Sequence, residues 1–325
     1  MHMEYRNVGK SGLKISELSF GSWITFGSSL DFEGIKACMR IAFENGVNFF
    51  DNAEAYGYGT SELLMGEALR DYKRENLVIS TKIFWGGMGP NQTGLSWKHL
   101  VEGTKNSLRR LQIDYVDLLF CHRPDPSTPI EETVRAMDVI IRSGLAFYWG
   151  TSEWSAGEIE KARAIALQYN AFAPIVEQPQ YNMLHRSSVE VEYAHLYGDG
   201  DAKDSHGLGL TTWSPLASGI LTGKYNDGIQ QGSRLSRYPD LAQYLTPETL
   251  GKVKALSKLA RTLDCTVGQL SIAWCLKNPR VSSVITGASS PQQVQENMQA
   301  VRLKKSLTEE VMQEIERILG SGAHA

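Results

Sequence analysis

The chain has 325 residues, of which 42% are hydrophobic and 21% charged, and 33 Lys and Arg against 36 Asp and Glu give a formal net charge of −3. That composition excludes a disordered chain, and the balanced charge, with no block of one sign, excludes an electrostatic footprint for nucleic acid or an anionic membrane. Length alone fits either two average domains or one α/β barrel.

From the N-terminus, Tyr5 to Ile15, with Gly9 and Ser11-Gly12 as turn residues, predicts a β-hairpin that plugs one end of the fold. Eight short apolar, β-branched-rich runs follow: Leu18 to Phe20, Val47 to Phe50, Leu77 to Ser80, Val116 to Phe120, Phe147 to Gly150, Ile175 to Glu177, Leu210 to Trp213, and Val284-Ile285. Each reads as a buried parallel strand. Helical spacing fills the intervals at Phe32 to Glu44, Ser61 to Leu69, Trp97 to Leu111, Ile130 to Ile141, Ala156 to Tyr169, Ser187 to Tyr197, Pro247 to Lys277 and Pro291 to Val301. Ser61 with Glu62, Ser155 with Glu158, and Thr308 with Glu309 and Glu310 supply helix-starting side chains and early acids.

The strand starts lie roughly 30 residues apart, the repeat of a βα unit, except before the last. Eight units predict a single (β/α)8 TIM barrel of the α/β class as one domain over residues 1–325, with an N-terminal β-hairpin and extra C-terminal helices such as Thr308 to Leu319. In the wide last interval, Gly219 to Tyr244 reads as a long functional loop; Gly198 to Gly207 reads as a smaller polar one. A doubly wound open sheet is the alternative, but Phe20-Gly21-Ser22-Trp23 contains no GxGxxG, and Gly207-Leu208-Gly209 precedes its strand. Cys38, Cys121, Cys265 and Cys275 are too few and too scattered for a disulfide scaffold or zinc knuckle. Residues 1–6 contain no apolar signal core and no run of about 18 apolar residues occurs, so the expected location is cytoplasmic, without membrane insertion.

In such a barrel, chemistry sits beyond the carboxyl ends of the strands, which puts Asp51, Tyr56, Lys82, His122, Ser152, Gln178, Trp213 and Gly287 in view. Taken singly, Asp51 reads as a loop cap, Lys82 as a snorkelling lysine and His122 as a core histidine. Together they make a set that satisfies itself: Asp51 holds Lys82 charged, Lys82 lowers the pKa of the Tyr56 hydroxyl toward working range, and His122 donates to a carbonyl oxygen. The set fits reversible proton transfer to an oxygen. Acyl transfer is disfavoured by the lack of a GxSxG elbow, and a metal site by the lack of paired His or Cys ligands.

Asp51-Asn52-Ala53-Glu54-Ala55-Tyr56-Gly57, Ser80-Thr81-Lys82, Cys121-His122-Arg123, Tyr148 to Ser152, Glu177-Gln178 and Trp213-Ser214-Pro215-Leu216 resemble the aldo-keto reductases in order and spacing. Lys82 to Gly87, Arg123-Pro124-Asp125-Pro126, Glu131 to Met137, Ala273-Trp274-Cys275-Leu276 and Gly287-Ala288-Ser289 resemble the branch that contains the β subunits of voltage-gated potassium channels. The resemblance implies hydride transfer from NADPH to an aldehyde or ketone, leaving NADP+, with Asp51, Tyr56, Lys82 and His122 catalytic. It also implies that Ser152 and Gln178 hold the nicotinamide carboxamide and Trp213 stacks on its ring, that Trp23 and Asp51 contact the cofactor, that Ser214, Leu216, Ser218, Lys224 and Arg234 line the pyrophosphate, and that Gly287, Ser289, Gln293, Glu296 and Asn297 hold the adenosine end with its 2′-phosphate. A homo-oligomer, in that branch a tetramer, and a potassium channel partner are further implications. His122 stands where channel β subunits usually carry Asn and matches the reductases at large, whereas Glu153 replaces the more usual Asn or Arg. Two readings follow: a carbonyl reductase, or a subunit that binds NADPH as a redox sensor and docks on a channel.

Overall fold

In the computed structural model, residues 2–23, 25–27, 30–197 and 207–320 are described. The hairpin strands β1 (Tyr5–Asn7) and β2 (Lys14–Ser16) pair antiparallel. The eight barrel strands are β3 (Leu18–Gly21), β4 (Phe49–Asp51), β5 (Val78–Ile83), β6 (Val116–Cys121), β7 (Ala146–Thr151), β8 (Val176–Glu177), β9 (Gly209–Thr212) and β10 (Val281–Thr286). All neighbours are parallel, and β10 closes on β3, so the open-sheet alternative is excluded.

Helices α1 (Phe32–Glu44), α2 (Thr60–Leu69), α3 (Trp97–Leu111), α4 (Ile130–Arg142) and α5 (Ala156–Gln168) follow β3 to β7 in turn. After β8 the expected single helix is a π-turn over Ser188–Glu192 and the short α6 (Ala194–Tyr197). The polar loop expected at Gly198 to Gly207 lies, but for Gly207, outside the described residues. The β9–β10 interval holds α7 (Arg234–Arg237), α8 (Pro247–Thr262) and α9 (Val267–Lys277), and the chain ends in α10 (Pro291–Met298), α11 (Ala300–Leu303) and α12 (Glu309–Leu319).

Local chemistry explains most boundaries. Ser155 and Glu158 form a full capping box at α5, and the Thr308 side chain accepts from the Val311 amide at α12. The Ser61 cap is a misreading: α2 starts after left-handed Gly59, Ser61 is buried inside the helix, and Glu62 turns inward to accept from Thr81 Oγ1 (2.5 Å) and Arg110 Nε (2.7 Å). A buried carboxylate needs such partners more than a helix start needs a cap.

Strand alternation sorts the interior. Phe49, Val78, Leu118, Phe120, Val176 and Ile285 form one apolar cluster with Val8 and Ile15, so the hairpin seals the amino-terminal end of the lumen. Left-handed Gly9 (φ 55°) allows that plug to seat, because a Cβ there would stand 2.1 Å from the Gly207 carbonyl oxygen. Counting upward in twos along the same strands, Phe49 leads to Asp51, Val78 to Lys82, Leu118 to His122 and Val176 to Gln178. The parity that fills the lower lumen with hydrocarbon therefore delivers polar groups at its upper mouth.

Candidate active site

At that mouth, Lys82 Nζ donates to Asp51 Oδ2 (2.6 Å), the Asn52 carbonyl (2.8 Å) and Tyr56 Oη (3.1 Å). Asp51 Oδ1 accepts from Ser80 Oγ (2.7 Å) and Gln178 Nε2 (3.2 Å). With Lys82 fully buried and Asp51 nearly so, ion pairing and these extra donors are what make the charges tolerable. Burial lowers the affinity of Lys82 for its proton, but Asp51 and Tyr56 outweigh it and the pKa is raised, so the side chain stays an ammonium. Burial raises the Tyr56 pKa and the pull of Lys82 does not overcome it. The expectation that Lys82 brings the hydroxyl down is thus corrected: desolvation of a phenolate exceeds the attraction, and Tyr56 is held as a phenol, a proton donor.

The His122 ring stands edge-on to Tyr56, centroids 5.7 Å apart, and edge-on to Trp85 at 5.0 Å. Burial, then the Lys82 and Arg123 charges, hold its pKa well below the usual range, so the imidazole is neutral. Nδ1 is buried without a hydrogen-bond partner among the described residues.

The mouth opens into a cavity of about 810 Å³ that runs under the β9–α8 insertion to α10. Tyr56, His122 and every residue assigned from sequence to the cofactor, from Trp23 and Asp51 through Ser152, Gln178, Trp213, Ser214, Leu216, Ser218, Lys224 and Arg234 to Gly287, Ser289, Gln293, Glu296 and Asn297, line this one cavity. Lys82 does not line it and acts from behind Asp51 and Tyr56.

Several features of the cavity suit a long, anionic occupant. Arg234 stacks over Trp23 at 5.5 Å, has no acidic partner among the described residues, and has its pKa lowered by burial. Ser233 Oγ beside it is buried and unpartnered. Ser214, Ala217, Ser218 and Gly219 are all left-handed (φ 58°, 45°, 56° and 90°), and the Ala217 and Gly219 amides donate to the Ser214 (3.0 Å) and Leu216 (2.8 Å) carbonyls, which closes a tight turn in the cavity wall. A Cβ at Gly219 would lie 2.7 Å from Lys224 Cε, so glycine keeps that lysine beside the turn. The N-terminus of α10 offers less than its sequence suggests: Pro291 has no N–H and Ser290 Oγ takes the Gln293 amide (3.3 Å), while Ser289 N and Oγ both donate to Gln293 Oε1 (2.9 and 3.1 Å).

Glu153, the departure noted in the sequence, accepts from Trp213 Nε1 (2.8 Å) and the Gln180 amide (2.6 Å) and so fixes the indole ring. Trp23 meets that ring edge-on at 6.2 Å. Residues outside the sequence-based set also matter. Ser80 was legible from lumen parity; Asn52, Glu54 and Arg123 stood in the quoted motifs without a role, and only the structure brings the Asn52 carbonyl onto Lys82, Arg123 into the cavity wall, and Glu54 onto His99 (3.0 Å), a buried contact that ties the 51–56 loop to α3. Trp97, at the start of α3, is exposed at the surface.

The aldo/keto reductase family model matches residues 17–319, and the chain belongs to that family of oxidoreductases. It is 56% identical over 325 residues to a probable voltage-gated potassium channel subunit beta of Arabidopsis thaliana, covering 98% of this chain and 97% of that protein. Identity is 52% over 325 residues to a probable voltage-gated potassium channel subunit beta of Oryza sativa subsp. japonica, with the same coverage. A putative voltage-gated potassium channel subunit beta of Schizosaccharomyces pombe (strain 972 / ATCC 24843) is 49% identical over 328 residues, covering 98% of this chain and 94% of that protein. Among the described residues no helix is long and apolar enough to cross a membrane.

Proposed function

We propose that this oxidoreductase reduces small aldehydes and ketones to alcohols with NADPH. The observation that carries the reading is the Asp51–Lys82–Tyr56 chain beside a neutral His122, at one end of a cavity whose other wall holds cations without acidic partners among the described residues. When bound, NADPH supplies the hydride. Tyr56 gives its proton to the oxygen that becomes the alcohol, and Lys82 stabilises the phenolate left behind. Neutral His122 orients the carbonyl with its single N–H. Asp51 keeps Lys82 charged, and Glu153 holds Trp213 as a wall for the nicotinamide.

Arg234, Lys224, Ser214 and Ser218 are the pyrophosphate-binding groups in this reading. None of the residues assigned to the adenosine end is cationic, so preference for a 2′-phosphate rests on the Ser289 hydroxyl and the remaining first-turn amide of α10. The measurement that tests the function is NADPH consumption with 4-nitrobenzaldehyde and methylglyoxal, with NADH in parallel. Tyr56-dependent turnover supports the reductase.

A second reading is favoured by what the relatives are named for: an NADPH-binding β subunit, cytoplasmic and assembled as a homo-oligomer such as a tetramer, that docks on a voltage-gated potassium channel. Tight NADPH binding with negligible turnover across the aldehyde panel would favour it.

A further inference from the structure

Resting on the reductase reading, we infer that Arg123 selects carbonyl substrates that carry a carboxylate. Its guanidinium lines the cavity next to His122 and lies 5.6 Å from the centre of the Trp85 ring. Nη1 donates to the His122 carbonyl (2.5 Å) and Ser152 Oγ (3.3 Å), which fixes the plane of the group. Both Nη1 protons are thereby used, while Nε and Nη2, the other edge of the fork, have no partner among the described residues. That edge presents two parallel N–H donors, the geometry that takes a carboxylate in bidentate fashion.

Nearby acids do not neutralise it. Asp51 is tied to Lys82, Glu153 to Trp213 and the Gln180 amide, and Asp125 to the amides of Leu95 and Ser127 and to Thr128 Oγ1. Arg123 therefore brings an unpaired positive charge to a mouth otherwise walled by Trp23 and Trp85. A substrate whose carbonyl oxygen meets Tyr56 and His122, with an aromatic or short aliphatic spacer between the indoles, reaches the free edge with its acid group. Arg123 acts in substrate binding.

The test compares 4-carboxybenzaldehyde with its neutral ester, methyl 4-formylbenzoate, as substrates of the full chain, Arg123→Met and Arg123→Lys. The acid-over-ester ratio of kcat/KM is expected to fall about 10- to 100-fold in Arg123→Met, mainly through KM, and to recover in part in Arg123→Lys. Equal losses on acid and ester, or a loss appearing in NADPH affinity, overturn the inference. If the unaltered protein reduces neither aldehyde, the reductase reading fails, and quenching of tryptophan fluorescence by 4-carboxybenzaldehyde then decides the binding role separately. Quenching abolished by Arg123→Met and retained by Arg123→Lys supports it; quenching indifferent to both overturns it.

Discussion

Asp51 and Lys82 at the β4–β6 mouth neutralise each other and fill each other's hydrogen bonds inside the barrel, whereas Lys224, Arg234 and Arg237 under the β9–α8 insertion make no ion pair among the described residues. The first region is complete before anything binds; the second is electrostatically unfinished. Backbone geometry divides along the same line. Of the eight non-glycine residues with positive φ among the described residues, Ser214, Ala217 and Ser218 fall at the head of the insertion. Left-handed non-glycine backbone costs of order 1 kcal/mol or more per residue, and at the head of the insertion the Ala217 N–H bond to the Ser214 carbonyl (3.0 Å) helps to hold it.

The comparison breaks most sharply at Tyr56. Tyr56→Phe removes only the hydroxyl, and reduction is expected to fall by about 100- to 10,000-fold, measured as kcat, while NADPH affinity from fluorescence titration stays near that of the unaltered protein. Retained turnover would remove Tyr56 from the mechanism.

Self-sufficiency of the mouth predicts a stability effect without any ligand. Lys82→Met strands the buried Asp51 carboxylate and should lower unfolding free energy by about 3–5 kcal/mol in denaturant titrations, whereas Arg234→Met should leave the cofactor-free protein as stable or slightly more so.

On the outer face of the same barrel, Glu177 accepts from Thr151 Oγ1, and burial pushes its pKa up to about 8. Below its ordinary value near 4.5 the group is protonated in both folded and unfolded chains. Between about 4.5 and 8 only the unfolded chain releases the proton, so stability falls as pH rises and the full cost is present above 8. Glu177→Gln should flatten that slope and stabilise the protein by about 3–5 kcal/mol at pH 8, read from urea midpoints at pH 5 and 8. A slope that survives the substitution would place the pH dependence elsewhere.

Arg234→Met should weaken NADPH about 10- to 100-fold by calorimetry, the scale of a charged hydrogen bond to phosphate, and shrink the thermal shift that NADPH confers. Smallest of all, Ser155→Ala opens the capping box of α5, three residues beyond the cavity-lining Ser152, and should cost about 1 kcal/mol in thermal unfolding with kcat unaffected.

Strand and helix order was legible because each element carries its own period, and α1 and α3 begin and end at the residues their apolar spacing indicates. That Asp51, Lys82 and His122 meet at one mouth was legible because they sit at strand ends in lumen parity, so that Phe49 and Asp51, or Val78 and Lys82, share a face by counting alone. Where the reading failed, a long-range contact had replaced a local one. Ser61 resembled a cap, but the proximity of Arg110 and Thr81 draws Glu62 inward and buries the segment. The pKa direction at Tyr56 turned on a balance between burial and the Lys82 charge, and burial is a property of the closed barrel.

The sequence by itself determined the eight-unit barrel, its plug, and the residue types gathered at its mouth, since period and parity are carried by the chain and need no partner. Only the tertiary structure decided that Tyr56 remains a phenol, that Glu153 clamps Trp213, and that Arg123 keeps one edge free. Each of those outcomes depends on which groups from distant strands exclude water or supply the opposing hydrogen bond, and neither quantity is written in local spacing.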